Sequence, residues 1–308
     1  MAEINKKRIS GFTKLYALLG YPAKHSLSPF IHNYFFSKYN IDSIYLSFEV
    51  IPNNFKNAFL GALSLGLYGV NLTMPFKEES LKYINEIDED VKYIKAANTI
   101  IFDNEKEIIK GFNTDINGFI KSLDDKFFKW KNSNCLIVGA GGVAKSVAYG
   151  LLKKDVKSIF IYNRTTKRAY GIKSLFKDIE NNKLIVIDDI NNVPINEINL
   201  IINCTSIGMK LENYKNNNNN DDNLNNNSDE FSNSLPIPIN WNLKNKFIFE
   251  MVYNPTNTAL VKKSINDGAK IIFGTEMLLN QAAFSFKIWN GIFPDLRYLK
   301  KYFKNSFN

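Results

Sequence analysis

From Leu15 to about Asn113, apolar runs of strand length alternate with stretches of helical period. The runs are Leu15 to Gly20, Ile44 to Val50, Gly69 to Thr73 and Thr99 to Phe102, and helical spacing fills Phe30 to Asn40 and Pro52 to Gly66. This alternation predicts an α/β domain. Asp115 to Leu123 reads as a connecting helix into a second alternation. Its predicted strands are Cys135 to Val138, Ser158 to Tyr162, Leu184 to Ile187, Leu200 to Cys204, Phe247 to Val252 and Lys270 to Phe273. Continuous β-branched runs separated by helices argue for a parallel sheet covered on both faces, hence a doubly wound domain.

An Asn-rich tract, from about Asn213 to Asn233, breaks this order. Its low complexity cannot bury enough apolar surface to offset the entropy of ordering, so it is expected to be a disordered insertion, bounded at about 211–240. Long surface insertions cost little closure entropy and leave the sheet intact.

Composition changes this picture little. A length of 308 residues suits two domains or one large one, and 45% hydrophobic with 22% charged residues lies in the globular range. The net charge of +9 comes from lysines scattered among asparagines. A nucleic-acid stripe is not expected, whereas a basic surface suits anionic small molecules. Cys135 and Cys204 match no metal or redox spacing and read as core residues, and no metal is expected. Met1 to Leu15 offers neither a secretory apolar region nor a spanning stretch, which points to the cytoplasm with no membrane partner.

The run from Leu136 to Ala144 is a strand entering a G-x-G-x-x-A turn and then a helix on which Val143, Val147 and Leu151 share a face. Such glycines allow a tight turn and close approach to a pyrophosphate, which meets unpaired amides and the positive end of the helix dipole. An acidic residue at the end of the second strand would read the ribose of NAD. Here Asn163, Arg164 and Thr165 stand there, with Lys167 and Arg168 behind them. A guanidinium makes charge-assisted bidentate bonds to a ribose phosphate, so the cofactor is expected to be NADP.

Four further segments carry candidate chemistry. In Gly20 to Pro29, Ser26 and Ser28 would project to one side of an extended segment and could bind a carboxylate; Ser28 before Pro29 equally fits an ordinary N-cap. Lys77 follows an apolar strand and a proline, a place where partial desolvation eases proton release. Asn98, in Ala96 to Thr99, could read a hydroxyl. Asp115, after Asn113 and Thr114, is either a helix cap or a charged partner for Lys77.

These segments, in this order and with the cofactor site after them, resemble the shikimate dehydrogenase family. The matching strings are HSLSP, NLTMPFK, AANT, NTD, GAGG, NRT, NCTSIGM, MVYNP and GTEMLLNQA. The resemblance covers nearly the whole chain apart from the Asn-rich tract. It implies a substrate-binding α/β domain over 1–115 completed by 274–308, whose helices return to it, and a Rossmann-type NADP domain over 116–273. It implies reversible reduction of 3-dehydroshikimate to shikimate by NADPH, a step toward chorismate and the aromatic amino acids. Ser26, Ser28, Thr73 and Tyr253 would hold the carboxylate, and Asn98, Asp115 and Gln281 the ring hydroxyls. Lys77 would transfer the proton, oriented by Asp115.

On the cofactor side Gly139, Ala140, Gly141, Gly142 and Val143 would cradle the pyrophosphate, and Asn163, Arg164, Thr165 and Arg168 the adenosine phosphate. Thr205, Ser206, Met251 and Gly274 would lie near the rest of the dinucleotide. Two departures stand out: Glu250 occupies a position where Asp is usual, and Ala97 one where a larger apolar residue is common. Neither is expected to touch the proposed chemistry. A quinate/shikimate dehydrogenase of dual specificity and a noncatalytic NADP-binding interaction protein remain as alternatives, and self-association into a homodimer is left open.

Overall fold

The computed structural model describes residues 9–209 and 234–306. Contacts divide the chain into two compact units, 1–118 with 279–299, and 119–278 with 300–308.

The first unit is built on a six-stranded sheet with strands β1 (Lys14–Gly20), β2 (Ser43–Glu49), β3 (Gly69–Leu72), β4 (Glu86–Ile87), β5 (Thr99–Asp103) and β6 (Ile108–Phe112) in the order β2-β1-β3-β5-β6-β4. β1 pairs in parallel with β2 and β3, whereas β5 runs antiparallel to both β3 and β6. The helices are α1 (Ser28–Lys38), α2 (Phe55–Ser64), the short α3 (Phe76–Glu79) and α4 (Glu89–Ile94), and α5 begins at Thr114 and runs to Asp124. Phe55 stacks on Phe76 at 4.3 Å, tying α2 to α3 inside a core with Phe59, Val70, Leu72 and Ile100. β6 escaped the sequence reading because its hairpin turn carries no glycine. Glu107 takes the positive φ of 53°, and Asp103 accepts from the amide of Lys106.

In the second unit β7 (Asn134–Val138), β8 (Ser158–Tyr162), β9 (Leu184–Ile187), β10 (Ile198–Asn203), β11 (Phe247–Glu250) and β12 (Lys270–Phe273) form a wholly parallel sheet, β12-β11-β10-β7-β8-β9. The expected doubly wound order is present, with helices α6 (Gly142–Lys153), α7 (Thr166–Leu175) and α8 (Ala259–Asp267) between strands. Strand order reverses at β7 and β10, the point where open α/β sheets bind dinucleotides. α9 (Gly274–Asn290) spans the 278/279 boundary between the units, and α10 (Arg297–Ser306) closes the chain.

For residues 210–233 the expected disordered insertion lies outside the described residues. Its expected extent to 240 is corrected: Ile237 is 4% exposed and packs with Trp241 and Leu243 in the second core, with Leu235 against it. The apolar side chains after Ser234 supply the burial that the asparagines lack. Among the described residues, no helix is long and apolar enough to cross a membrane.

Candidate functional site

In the first unit, two segments converge on Asp115. β3 ends at Leu72, and the chain turns through Thr73 to Pro75 into α3, which presents Lys77. The backbone of Lys77 is pinned to the AANT segment by the amide of Ala97 donating to its carbonyl at 2.9 Å. Lys77 Nζ donates to Asp115 Oδ2 at 2.7 Å, with the lysine side chain 26% exposed and the carboxylate 11% exposed. Asn98 Nδ2 donates to Asp115 Oδ1 at 2.9 Å. Asp115 therefore receives one donor on each oxygen from two different segments.

Asp115 is not the cap of its helix. Asn113 takes that role, its Oδ1 accepting from the Asp115 amide at 3.1 Å. Freed from capping, the Asp115 carboxylate faces Lys77 and Asn98. One turn on, a Cβ on Gly118 would stand 2.9 Å from the backbone nitrogen of Gln281, so α5 and α9 touch there. This contact brings Gln281 near Asp115.

Ser26 and Ser28 do not lie in the extended segment expected of them. The segment is a turn, closed by the Ser26 amide on the Ala23 carbonyl at 3.2 Å, and Leu27 at its end is helical rather than extended. The Ser28 amide donates to Ser26 Oγ at 3.2 Å. Ser28 is no side-chain cap for α1; it is buried and bonded to the Tyr45 phenol. Thr73, half-buried, closes against Gly20, where any Cβ would collide with Thr73 Cγ2.

Beneath these residues lies a buried polar ladder that periodicity did not reveal. Tyr45 Oη donates to Asn71 Oδ1 at 2.9 Å, and Asn71 Nδ2 donates to the Asn98 carbonyl, Thr99 Oγ1 and Ser285 Oγ at 3.0 to 3.1 Å. Burial pushes the Tyr45 phenol well above its ordinary value. The available signal was Asn71 itself, a polar residue inside the apolar strand Gly69–Leu72, where a side chain needs partners once buried.

In the second unit, Gly139 follows β7 with φ of 102°. A Cβ there would lie 2.8 Å from Thr205 Cγ2 and 2.9 Å from the Cys204 carbonyl carbon, so glycine is required for the close approach of the β7 and β10 loops. Gly141 and Gly142 are exposed, with nothing above the Gly142 Cα, and Val143 follows in the first turn of α6. The leading amides of a helix lack intrahelical acceptors, so this open glycine edge fits a pyrophosphate. Asn163 Oδ1 accepts from the Ala140 amide at 3.0 Å while its Nδ2 donates to the Thr165 carbonyl at 2.9 Å. Asn163 thus ties the glycine turn to the end of β8. Arg164, Thr165, Lys167 and Arg168 are exposed there.

Thr205 is shaped by Asn203, whose Oδ1 accepts from the Thr205 amide and hydroxyl at 3.0 and 2.7 Å, and Ser206 beyond it is exposed. Met251 is half-buried, and Gly274 packs on its carbonyl so closely that a Cβ would stand 2.8 Å from the carbonyl carbon. Tyr253 lies in the loop after β11, and burial raises its phenol pKa. Among the described residues, no group of three or more His, Cys, Asp or Glu could hold a metal.

Three family models match this chain. The substrate-binding domain of shikimate dehydrogenase matches residues 18–100, shikimate/quinate 5-dehydrogenase residues 122–227, and the C-terminal domain of shikimate 5'-dehydrogenase residues 274–301. The chain is 35% identical to the NADP(+) shikimate dehydrogenase of Caldanaerobacter subterraneus subsp. tengcongensis, covering 94% of this chain and 95% of that protein. A crystal structure of a shikimate dehydrogenase in complex with NADP+ superposes with a TM-score of 0.83 at 31% identity, over 98% of both chains. The enzyme of Listeria monocytogenes, solved with shikimate and NAD, gives a TM-score of 0.83 at 27% identity, over 96% of this chain and 98% of that one.

Proposed function

The chain belongs to the shikimate dehydrogenase family, and from that premise we propose that it is an NADP-dependent shikimate dehydrogenase, an oxidoreductase that reversibly reduces 3-dehydroshikimate to shikimate in aromatic amino-acid biosynthesis. The observation that carries the reading is the linkage of Lys77 and Asn98 through the two oxygens of Asp115. A ketone oxygen gains charge as its carbon is reduced, and an ammonium held beside it both stabilises that charge and delivers a proton.

When bound, NADPH supplies the hydride. Gly139 to Val143 would hold its pyrophosphate, Asn163, Arg164, Thr165 and Arg168 its adenosine phosphate, and Thr205, Ser206, Met251 and Gly274 the remainder. In this reading the exposed guanidinium and hydroxyl groups, Arg164, Arg168 and Thr165, contact the phosphate, and Asn163 acts by shaping the turn beneath it.

Lys77 Nζ donates a proton to the carbonyl oxygen in the reducing direction and recovers it in the reverse. Asp115 holds the ammonium in place and, with Asn98 and Gln281, accepts or donates to the ring hydroxyls. Ser26, Ser28, Thr73 and Tyr253 hold the carboxylate of the substrate. The reading places the enzyme in the cytoplasm, in keeping with two buried, unpaired thiols, Cys135 and Cys204.

The test is a steady-state comparison of shikimate and quinate, each with NADP and with NAD. The highest kcat/KM is expected for shikimate with NADP. Faster turnover of quinate with NAD would assign the chain to quinate oxidation instead.

A further inference from the structure

The sequence marked Glu250 only as a departure from the usual Asp, remote from the chemistry. Its surroundings say otherwise. Glu250 ends β11 and is fully buried, as is Asn203 at the end of the neighbouring strand β10. The two residues are register partners.

Among the described residues, three hydrogen bonds reach the Glu250 carboxylate, one from the end of β10 and two from the loop after β11. Asn203 Nδ2 donates to Oε1 at 2.8 Å, the Val252 amide donates to the same oxygen at 3.0 Å, and Thr258 Oγ1 donates to Oε2 at 2.8 Å. Asn203 passes the restraint on: its Oδ1 receives both the amide and the hydroxyl of Thr205, and Thr205 Oγ1 accepts from the Ile207 amide at 3.1 Å. Thr258 in turn caps α8, accepting from the Val261 amide at 3.2 Å. Gly208 approaches Thr258 so closely that a Cβ would lie 3.1 Å from its side chain. One carboxylate therefore braces the 204–208 turn on one side and the 251–258 loop on the other.

We propose that Glu250 is a positioning residue for the dinucleotide, holding in one arrangement the two loops that carry Thr205, Ser206 and Met251. This rests on the assignment of those residues to the part of the cofactor away from the adenosine phosphate. An interior carboxylate is costly to keep, and a network left half-satisfied is worse than an apolar one. Three donors compensate it here, one from the end of β10 and two from the 251–258 loop, so a single acceptor group ties the two segments together. The cost of ordering them is met on folding rather than on binding.

The brace predicts a signature distinct from that of Arg164. NADPH and NADH share the part of the molecule that these loops face, so Glu250→Ala should weaken both by the same factor, about 5- to 30-fold, the range for losing one or two buried hydrogen bonds. Because the 251–258 loop also carries Tyr253, shikimate affinity should fall with them, whereas in Arg164→Ala it should not. Glu250→Gln keeps the length and an acceptor oxygen, and should recover most of the loss. Dissociation constants would be measured by quenching of protein fluorescence with each cofactor, alongside Arg164→Ala.

If Glu250→Ala does not fold, Thr258→Val, which keeps shape and removes one donor, serves instead and should weaken both cofactors by about 3- to 10-fold. A Glu250 or Thr258 variant that folds and binds both cofactors with unchanged affinity overturns the brace. If Arg164→Ala still selects against NADPH in that case, the cofactor reading stands without it. If neither cofactor is bound by the unaltered protein, both readings fall.

Discussion

Asn98 Nδ2 stands 2.9 Å from Asp115 Oδ1 and cannot be exchanged for its own oxygen. Asn98 Oδ1 is committed elsewhere, receiving the Thr114 amide at 2.8 Å and the hydroxyls of Thr99 and Thr114 at 3.0 and 3.1 Å. The backbone amide is a donor only, so it fixes which end of the Asn98 amide faces the carboxylate. Asn98→Asp would set a second carboxylate against Asp115 and turn that donor into an acceptor. We expect kcat/KM to fall by about 10- to 100-fold and stability by about 1–3 kcal/mol, the cost of a buried group losing its partner. Kinetics and urea unfolding of the same preparation check both.

Lys77→Ala should lower kcat by roughly 10²- to 10⁴-fold, the range for loss of a general acid and base. Lys77→Arg tests whether charge alone suffices. A guanidinium keeps the charge but does not release a proton near neutral pH, so its turnover should stay depressed while shikimate still binds. Wild-type turnover in Lys77→Arg would remove proton transfer from the role of Lys77.

Arg164→Ala should weaken NADPH by about 1.5–3 kcal/mol, the value of a hydrogen bond to a charged group, and leave NADH nearly unaffected. Titration of both reduced cofactors against the variant decides it. Equal losses would shift the phosphate contact to Arg168 or Thr165.

Gly274→Ala should destabilise the second unit without touching any charged group. Its Cβ would stand 2.8 Å from the Met251 carbonyl carbon and 3.1 Å from the Glu250 carbonyl oxygen, both backbone atoms with little room to move. A loss of about 1–3 kcal/mol is typical of such overpacking. The midpoint of urea unfolding reports it.

Burial raises the Glu250 carboxyl from 4.5 to about 7, against its hydrogen bonds from Val252, Thr258 and Asn203, which lower it. Its titratable neighbour Cys204 is itself pushed up by burial. Because the folded state holds this proton more tightly than the unfolded state, its contribution to stability is complete below about pH 4.5 and is lost as pH rises to about 7. Relative to Glu250→Gln, the wild type should lose stability across that window and hold level above it. Urea midpoints of both proteins at pH 5, 6, 7 and 8 would show this, and a difference that does not change with pH would contradict it.

The sequence by itself determined the second sheet almost strand for strand, because a parallel strand buried on both faces is a continuous apolar run and needs no knowledge of its neighbours. It also determined the glycine turn and the Asn163 to Arg168 cluster, since these are local in the chain. In the first unit, order in sequence located Lys77, Asn98 and Asp115, but only the tertiary structure decided what each does there. Whether Asp115 caps α5 or pairs with Lys77 depends on Asn113 taking the cap, and whether Ser26 and Ser28 meet depends on a turn rather than on alternation. The same holds for Tyr45, Asn71, Thr99, Thr114 and Ser285, whose bonds join residues up to 214 positions apart. Glu250 is the clearest case. In the chain it is one acidic residue at the end of an apolar run, and only the pairing of β10 with β11 brings Asn203 against it and makes one carboxylate the anchor of two loops.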